Sequence, residues 1–109
     1  MDFKEYQKLS KKTAVYPDVG DNYVYPSLGL AGEAGEVADK MSKAIRDDNW
    51  KITKRKKKEI KKELGDVLWF ISQLATELGL SLEEIAKGNV DKLQSRQKRG
   101  KLKGSGDNR

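Results

Sequence analysis

Two pairs of carboxylates carry the clearest chemical potential in this chain. Glu33 and Glu36 lie in "LGLAGEAGEVADK", and Glu63 and Asp66 lie in "KKELGDVL". Each pair is spaced by three residues, so on a helix both acids project from consecutive turns of one side. Four like charges held together repel strongly in a partly dry site, and a fold that gathers them needs cations to neutralise them. The chain has no histidine and no cysteine. Imidazole bases, thiolate chemistry, disulfides and nearly every zinc site are thereby excluded. A metal held here must be hard and oxygen-bound, and Mg2+ of that kind commonly recruits phosphate as well.

The elements that position these acids read as helices. Leu30, Ala34, Val37, Met41 and Ile45 recur at helical spacing from about Ser27 to Asp47. On that wheel, with Leu30 at zero, Glu33 falls near roughly 300° and Glu36 near roughly 240°, bordering the apolar face. Gly29, Gly32 and Gly35 interrupt the same stretch, each costing about 1 kcal/mol against alanine in a helix. The expectation is that the missing side chains leave space beside the acids for a metal–phosphate complex. Thr53 can cap a second long helix running through Ile60, Leu64, Val67, Ile71 and Leu74 to a stop at Gly79. Glu63 and Asp66 border its apolar face beside Gly65.

Two shorter elements flank this pair. "DFKEYQKLSKKTAVY" is amphipathic through Phe3, Tyr6 and Leu9, and "PDVGDNYVYP" is a loop. "SLEE" at Ser81–Glu84 forms a capping box for a last helix. That helix carries Asn89, Lys92 and Arg96 on one polar stripe. The class is all-α, a four-helix bundle with two long central helices. Residues 1–103 are read as one domain and 104–109 as a flexible C-terminal tail.

Net charge is +6, and it is unevenly spread: from Gly88 onward seven Lys/Arg face two Asp. With the run "KITKRKKKEIKK", this raises a rival reading as a basic nucleic-acid-binding helical module without catalysis. A solvated helix start and tail explain the same residues, and nucleic acid is not the expected partner. In a second rival reading, the chain is a structural helical adaptor. There the acids are ordinary surface charges, with Glu36–Lys40 and Lys62–Asp66 as i,i+4 pairs. No apolar run reaches the ~20 residues of a membrane span, and no signal-peptide pattern opens the sequence, so the cytoplasm is expected.

The strings "YPSLGLAGEAGEVADKMSKAIRDD" and "KKELGDVLWFISQLATELGLSLEEIAKGNVDKLQSR", with the closing "KRGKLKGSGDNR", resemble the MazG-like nucleoside triphosphate pyrophosphohydrolases over residues 15–109. The family's E-x-x-E and E-x-x-D motifs fall on Glu33, Glu36, Glu63 and Asp66. Many members carry two adjacent glutamates at the first motif, where this chain has Gly32 before Glu33. The resemblance implies an all-α enzyme whose four acids bind Mg2+, with Mn2+ as a substitute, and that cleaves an NTP to NMP and pyrophosphate. Glu36, Glu63 and Asp66 would be catalytic. Either water activated by the metal or a carboxylate, with Glu36 favoured, would handle the proton. Asn89, Lys92 and Arg96 match the family's N-x-x-K-L-x-x-R and would contact phosphate or sugar, with Lys40 and Lys43 as further candidates. The resemblance also implies a homo-oligomer, dimer or tetramer, with sites built between subunits. Small members of this kind act on deoxynucleotide pools, which makes purine nucleotides such as dGTP the first substrates to consider.

Overall fold

The computed structural model describes residues 1–109 and contains four helices and no strand: α1 (Phe3–Lys11), α2 (Val24–Asp47), α3 (Lys54–Glu77) and α4 (Leu82–Lys98). The two long helices form a hairpin, α3 carries α1 as well, and α4 touches α1 and α3 but not α2. No helix is long and apolar enough to cross a membrane.

Local chemistry explains most boundaries. Thr53 accepts from Lys56 N at 3.1 Å and Ser81 from Glu84 N at 3.2 Å, each satisfying an otherwise unpaired donor of a first turn. At the end of α3, Gly79 adopts φ +69°, donating to Thr76 O while Leu80 N donates to Ala75 O. This is a Schellman ending, which favours glycine at the left-handed position. Helix α2 begins at Val24, three residues before the expected start. Asn22 Oδ1 accepts from Tyr25 N at 3.0 Å, and Pro26 sits in a first turn, where its missing N–H costs nothing.

Polar bonds hold α1 on α3. The Ser10 and Ser72 hydroxyls lie 2.7 Å apart, Gln73 Nε2 donates to Ser10 Oγ, and Trp69 Nε1 donates to Thr13 Oγ1 at 2.8 Å. Gln7 bonds Thr76, the Leu80 carbonyl and the Leu82 amide, fixing the α3–α4 corner. No buried side-chain nitrogen or oxygen lacks a partner.

The apolar faces are only half used. Just ten of 109 residues are buried, so burial within one chain supplies a thin core for a domain of this size. Met41 and Ile45 of α2, Leu64 of α3, and Ile85, Val90 and Leu93 of α4 all remain 40% exposed or more. Helix α2 is rotated relative to the sequence expectation. Pro26, Gly29, Leu30, Glu33, Val37, Lys40 and Ala44 are its buried or half-buried positions, while Ala34, Met41 and Ile45 are exposed. Small residues explain the rotation, because Gly29 and Ala44 let α3 approach closely and leave the bulkier stripe outside.

Residues 100–109, whose last six were expected as a flexible tail, lie back on α4 through the hydrogen bond from Arg96 to the Asp107 carbonyl, while Arg109 bonds to the Lys101, Leu102 and Gly106 carbonyls within the segment itself.

Candidate metal and phosphate site

The rotation of α2 puts Glu33 into the seam with α3. There, carboxylate oxygens of Glu33, Glu63 and Asp66 lie within 4.8 Å of one another. Glu33 and Glu63 are half-buried and Asp66 is exposed, so the cluster opens to solvent on the Asp66 side. Glu36 is exposed and stands outside this group of three. It remains one turn along α2 from Glu33.

Crowding leaves an electrostatic signature. The Glu33 carboxyl is pushed above its ordinary value by partial burial first, then by hydrogen bonding to Glu63 and the charges of Asp66, Glu63 and Glu36. One cation of the chain itself relieves the repulsion: Lys40 Nζ lies 3.8 Å from Glu63 Oε1, with both side chains largely covered. Lys43, the other lysine expected on this side, instead pairs with Asp39 at 2.8 Å.

Three convergent carboxylates with an open side suit a hard divalent cation better than a softer one. Glu33, Glu63 and Asp66 would hold Mg2+, with Glu36 in reach of the same region from the adjacent turn. A bound ion stabilises the state that binds it, by about 2.7 kcal/mol at a hundredfold excess over its dissociation constant. Mg2+ is therefore expected to raise the thermal midpoint of the wild type by several degrees or more, at about 4–8 °C per kcal/mol for a domain near this size. Glu63→Gln should lose that rise without losing stability in the metal-free state, since it removes one of the repelling charges. Differential scanning calorimetry with and without MgCl2 checks both halves, and an equal rise in both proteins would place the ion elsewhere.

The glycines divide into two kinds. A Cβ on Gly29 would overlap the edge of the Phe70 ring, whereas at Gly32, Gly35 and Gly65 it would meet nothing within 4 Å. The expected open space at Gly29 is therefore filled by Phe70, which sits one turn from Asp66. Gly29→Ala should destabilise by about 1–3 kcal/mol, the usual range for overpacking. Gly32→Ala should instead gain up to about 1 kcal/mol of helix propensity. If Gly32 clears the way for phosphate, the same change lowers turnover, so stability and activity move in opposite directions. Urea midpoints beside initial rates for both variants read this contrast.

Asn89, Lys92 and Arg96 are not gathered around the acids by contact between α4 and α2. Asn89 and Lys92 are exposed, and Arg96 is only 4% exposed because its guanidinium faces inward on the chain's own residues 106 and 107. Sequence reasoning missed Tyr6, a half-buried residue of α1 whose phenol is pushed up by burial and by the charge of Asp66. Nothing in its amphipathic spacing marked it as a neighbour of the acids. Trp69 of α3 has its indole N–H committed to the Ser10 carbonyl and the Thr13 hydroxyl.

Comparison with known proteins identifies the family of the chain. The MazG nucleotide pyrophosphohydrolase domain matches residues 27–100, a span that includes all four motif acids. The chain is 44% identical to the "Gene 37 protein" of Mycobacterium phage L5 over 109 residues, covering 95% of this chain and 96% of that one. No solved structure matches it. The seam of acids thus sits within the matched domain, and the chain belongs to the MazG nucleotide pyrophosphohydrolase family.

Proposed function

We propose that this protein is a Mg2+-dependent nucleoside triphosphate pyrophosphohydrolase converting a (d)NTP to the (d)NMP and pyrophosphate. The observation that carries the reading is the meeting of Glu33, Glu63 and Asp66 from two helices in one half-buried seam. Phosphoryl transfer asks a protein mainly for positioning and charge neutralisation. Bound metal, with Mn2+ able to replace Mg2+, would supply Lewis-acid activation of water and neutralise the triphosphate. The protein's acids keep the seam anionic and aligned, while Lys40 holds Glu63 in place when no other cation does. The water oxygen bonds to the α-phosphorus and the bond to the bridging oxygen breaks. Pyrophosphate leaves with the electron pair. Glu36, exposed at the mouth of the seam, is our choice to accept the proton released by the water.

The half-used apolar faces support self-association as a dimer or tetramer. Since α4 does not reach α2 within one chain, Asn89, Lys92 and Arg96 would meet the acids from another subunit. We read residues 1–103 as the catalytic domain, working in the cytoplasm on the deoxynucleotide pool, with dGTP and GTP as the first candidates.

Release of pyrophosphate from each of the eight common NTPs and dNTPs, with Mg2+ or Mn2+, tests this directly. Metal-dependent formation of NMP and pyrophosphate is expected, and orthophosphate release would mean attack at the γ-phosphorus and sink the mechanism. One observation favours a second reading. Lys54, Lys57, Lys58, Lys61 and Lys62 of α3 are exposed and none forms an ion pair, a surface suited to a nucleic-acid backbone. Such binding would weaken steeply with salt and survive loss of the acids.

A further inference from the structure

The end of α4 is closed by a built loop. Gly100 at φ +68° completes a Schellman ending, donating to Gln97 O while Lys101 N donates to Arg96 O at 2.7 Å. Gly104 and Gly106 follow at φ +127° and +89°, conformations that residues with a Cβ rarely adopt. Arg109 then ties the loop shut, its guanidinium donating to the carbonyls of Lys101, Leu102 and Gly106 at 2.7–3.1 Å. A plain solvated linker would hold neither this run of left-handed glycines nor an arginine bonded to three backbone carbonyls.

Beneath the loop lie two cations of the α4 stripe. Arg96 Nη2 donates to Asp107 O at 2.8 Å, and the Asp107 carboxylate lies 3.7 Å from Arg96 Nη2 and 3.6 Å from Lys92 Nζ. Arg96 is nearly buried, yet Asp107 is 88% exposed in its side chain. The one anion facing both cations is thus a solvated carboxylate held at pair distances beyond a good hydrogen bond. A polyphosphate carries more charge and more acceptor oxygens than a single carboxylate, and it can take the same two cations.

We propose that residues 100–109 are a strap that Arg109 holds closed over the end of α4. In it Asp107 occupies Lys92 and Arg96 in place of a phosphate, so that a polyphosphate must displace Asp107 to reach them. Arg96 then has two partners at once, anchoring the strap through the Asp107 carbonyl and offering its remaining donors to the incoming anion. The choice of polyphosphate as the displacing anion rests on the proposed reaction, while closure of the strap does not.

The test is calorimetric titration of inorganic pyrophosphate into the full chain, without divalent metal and at fixed ionic strength. Asp107→Asn keeps the backbone carbonyl that Arg96 uses but removes the competing charge, and it should bind pyrophosphate about two- to fivefold tighter than wild type, the worth of an exposed ion pair. Adding Lys92→Ala should abolish the gain. Should Asp107→Asn fold poorly, Asp107→Ser, which likewise keeps the backbone carbonyl and removes the competing charge, must also bind tighter. Equal or weaker binding in the folded variant overturns the proposal, as does a gain that persists without Lys92. Because no turnover is involved, failure here leaves the hydrolysis reading standing, and absence of hydrolysis would leave this competition intact.

Discussion

Asp66→Ala is expected to lower metal-dependent pyrophosphate release by about 10²–10³-fold, the range seen when one preorganised charge-stabilising group is removed from a reacting centre. Asp66 is the exposed member of the three-carboxylate cluster, so its loss would remove one ligand of the proposed cation without leaving a cavity in the seam. Stability of the metal-free protein should hold or rise slightly, because a like charge beside Glu33 has gone. The side chain also adds to the rise in the Tyr6 phenol, and that rise should shrink in the variant. The decisive measurement is release of NMP and pyrophosphate from the best nucleotide at saturating Mg2+, with circular dichroism showing an unchanged fold. Retention of more than about a tenth of the wild-type rate would remove Asp66 from the reacting centre and, with it, the meaning given to the cluster.

The parts of this structure that sequence reasoning reached are those decided locally. Thr53, Ser81 and Gly79 mark helix ends because caps and Schellman endings involve residues within one turn. The acids of α3 and Glu33 were legible because a three-residue spacing fixes which side of a helix they share. What escaped was decided by partners distant in sequence. A helical wheel weights α2 toward Leu30, Ala34, Val37, Met41 and Ile45, yet of these only Leu30 and Val37 are covered, and Gly29, Glu33 and Ala44 are covered beside them. Nothing within α2 says that its more apolar flank will stay free, or that Phe70 will fill the notch at Gly29. Lys40 was legible as a cation near the acids, but its partner Glu63 lies 23 positions away on the other helix. Arg96 was legible as an anion-seeking side chain. That its first acceptors are backbone carbonyls of residues 106 and 107 follows from glycine conformations that a composition-based reading takes for looseness.

Glu77 shows how far such distant partners matter, and Glu77→Ala should destabilise the protein by about 2–3 kcal/mol, within the range for hydrogen bonds to a charged group whose donors stay partly solvated. Its carboxylate accepts from the Tyr16 hydroxyl at 2.5 Å, from Gly20 N at 2.9 Å and from Asn22 N at 3.1 Å. These bonds pin the loop between α1 and α2, in which Asp18 and Gly20 hold positive φ. Tyr16 in turn stacks on Tyr25 at 4.8 Å, Tyr25 lies beside Phe70, and Asn22 caps the start of α2. Losing Glu77 therefore loosens the chain that seats Phe70 against Gly29, one turn from Glu33. The pH dependence has a definite sign on both sides. Hydrogen bonding from Tyr16, then from the Gly20 and Asn22 amides, holds the Glu77 carboxyl below its ordinary 4.5 against the opposing effect of burial. Its stabilisation is thus present above that value and lost as pH falls through the folded-state value. Burial, followed by the bond to Glu77 and its charge, pushes the Tyr16 phenol up from 10.0. That contribution is present below pH 10 and lost as pH rises toward the folded-state value. Urea unfolding of wild type and Glu77→Ala across both limbs isolates these residues, because the other carboxylates titrate alike in the two proteins. The difference between them should be widest near neutral pH and shrink on the acid limb as wild type loses the bond. A loss below about 0.5 kcal/mol at pH 7, the level of an ordinary surface substitution, would mean that the loop is held by the Tyr16–Tyr25 stack without Glu77.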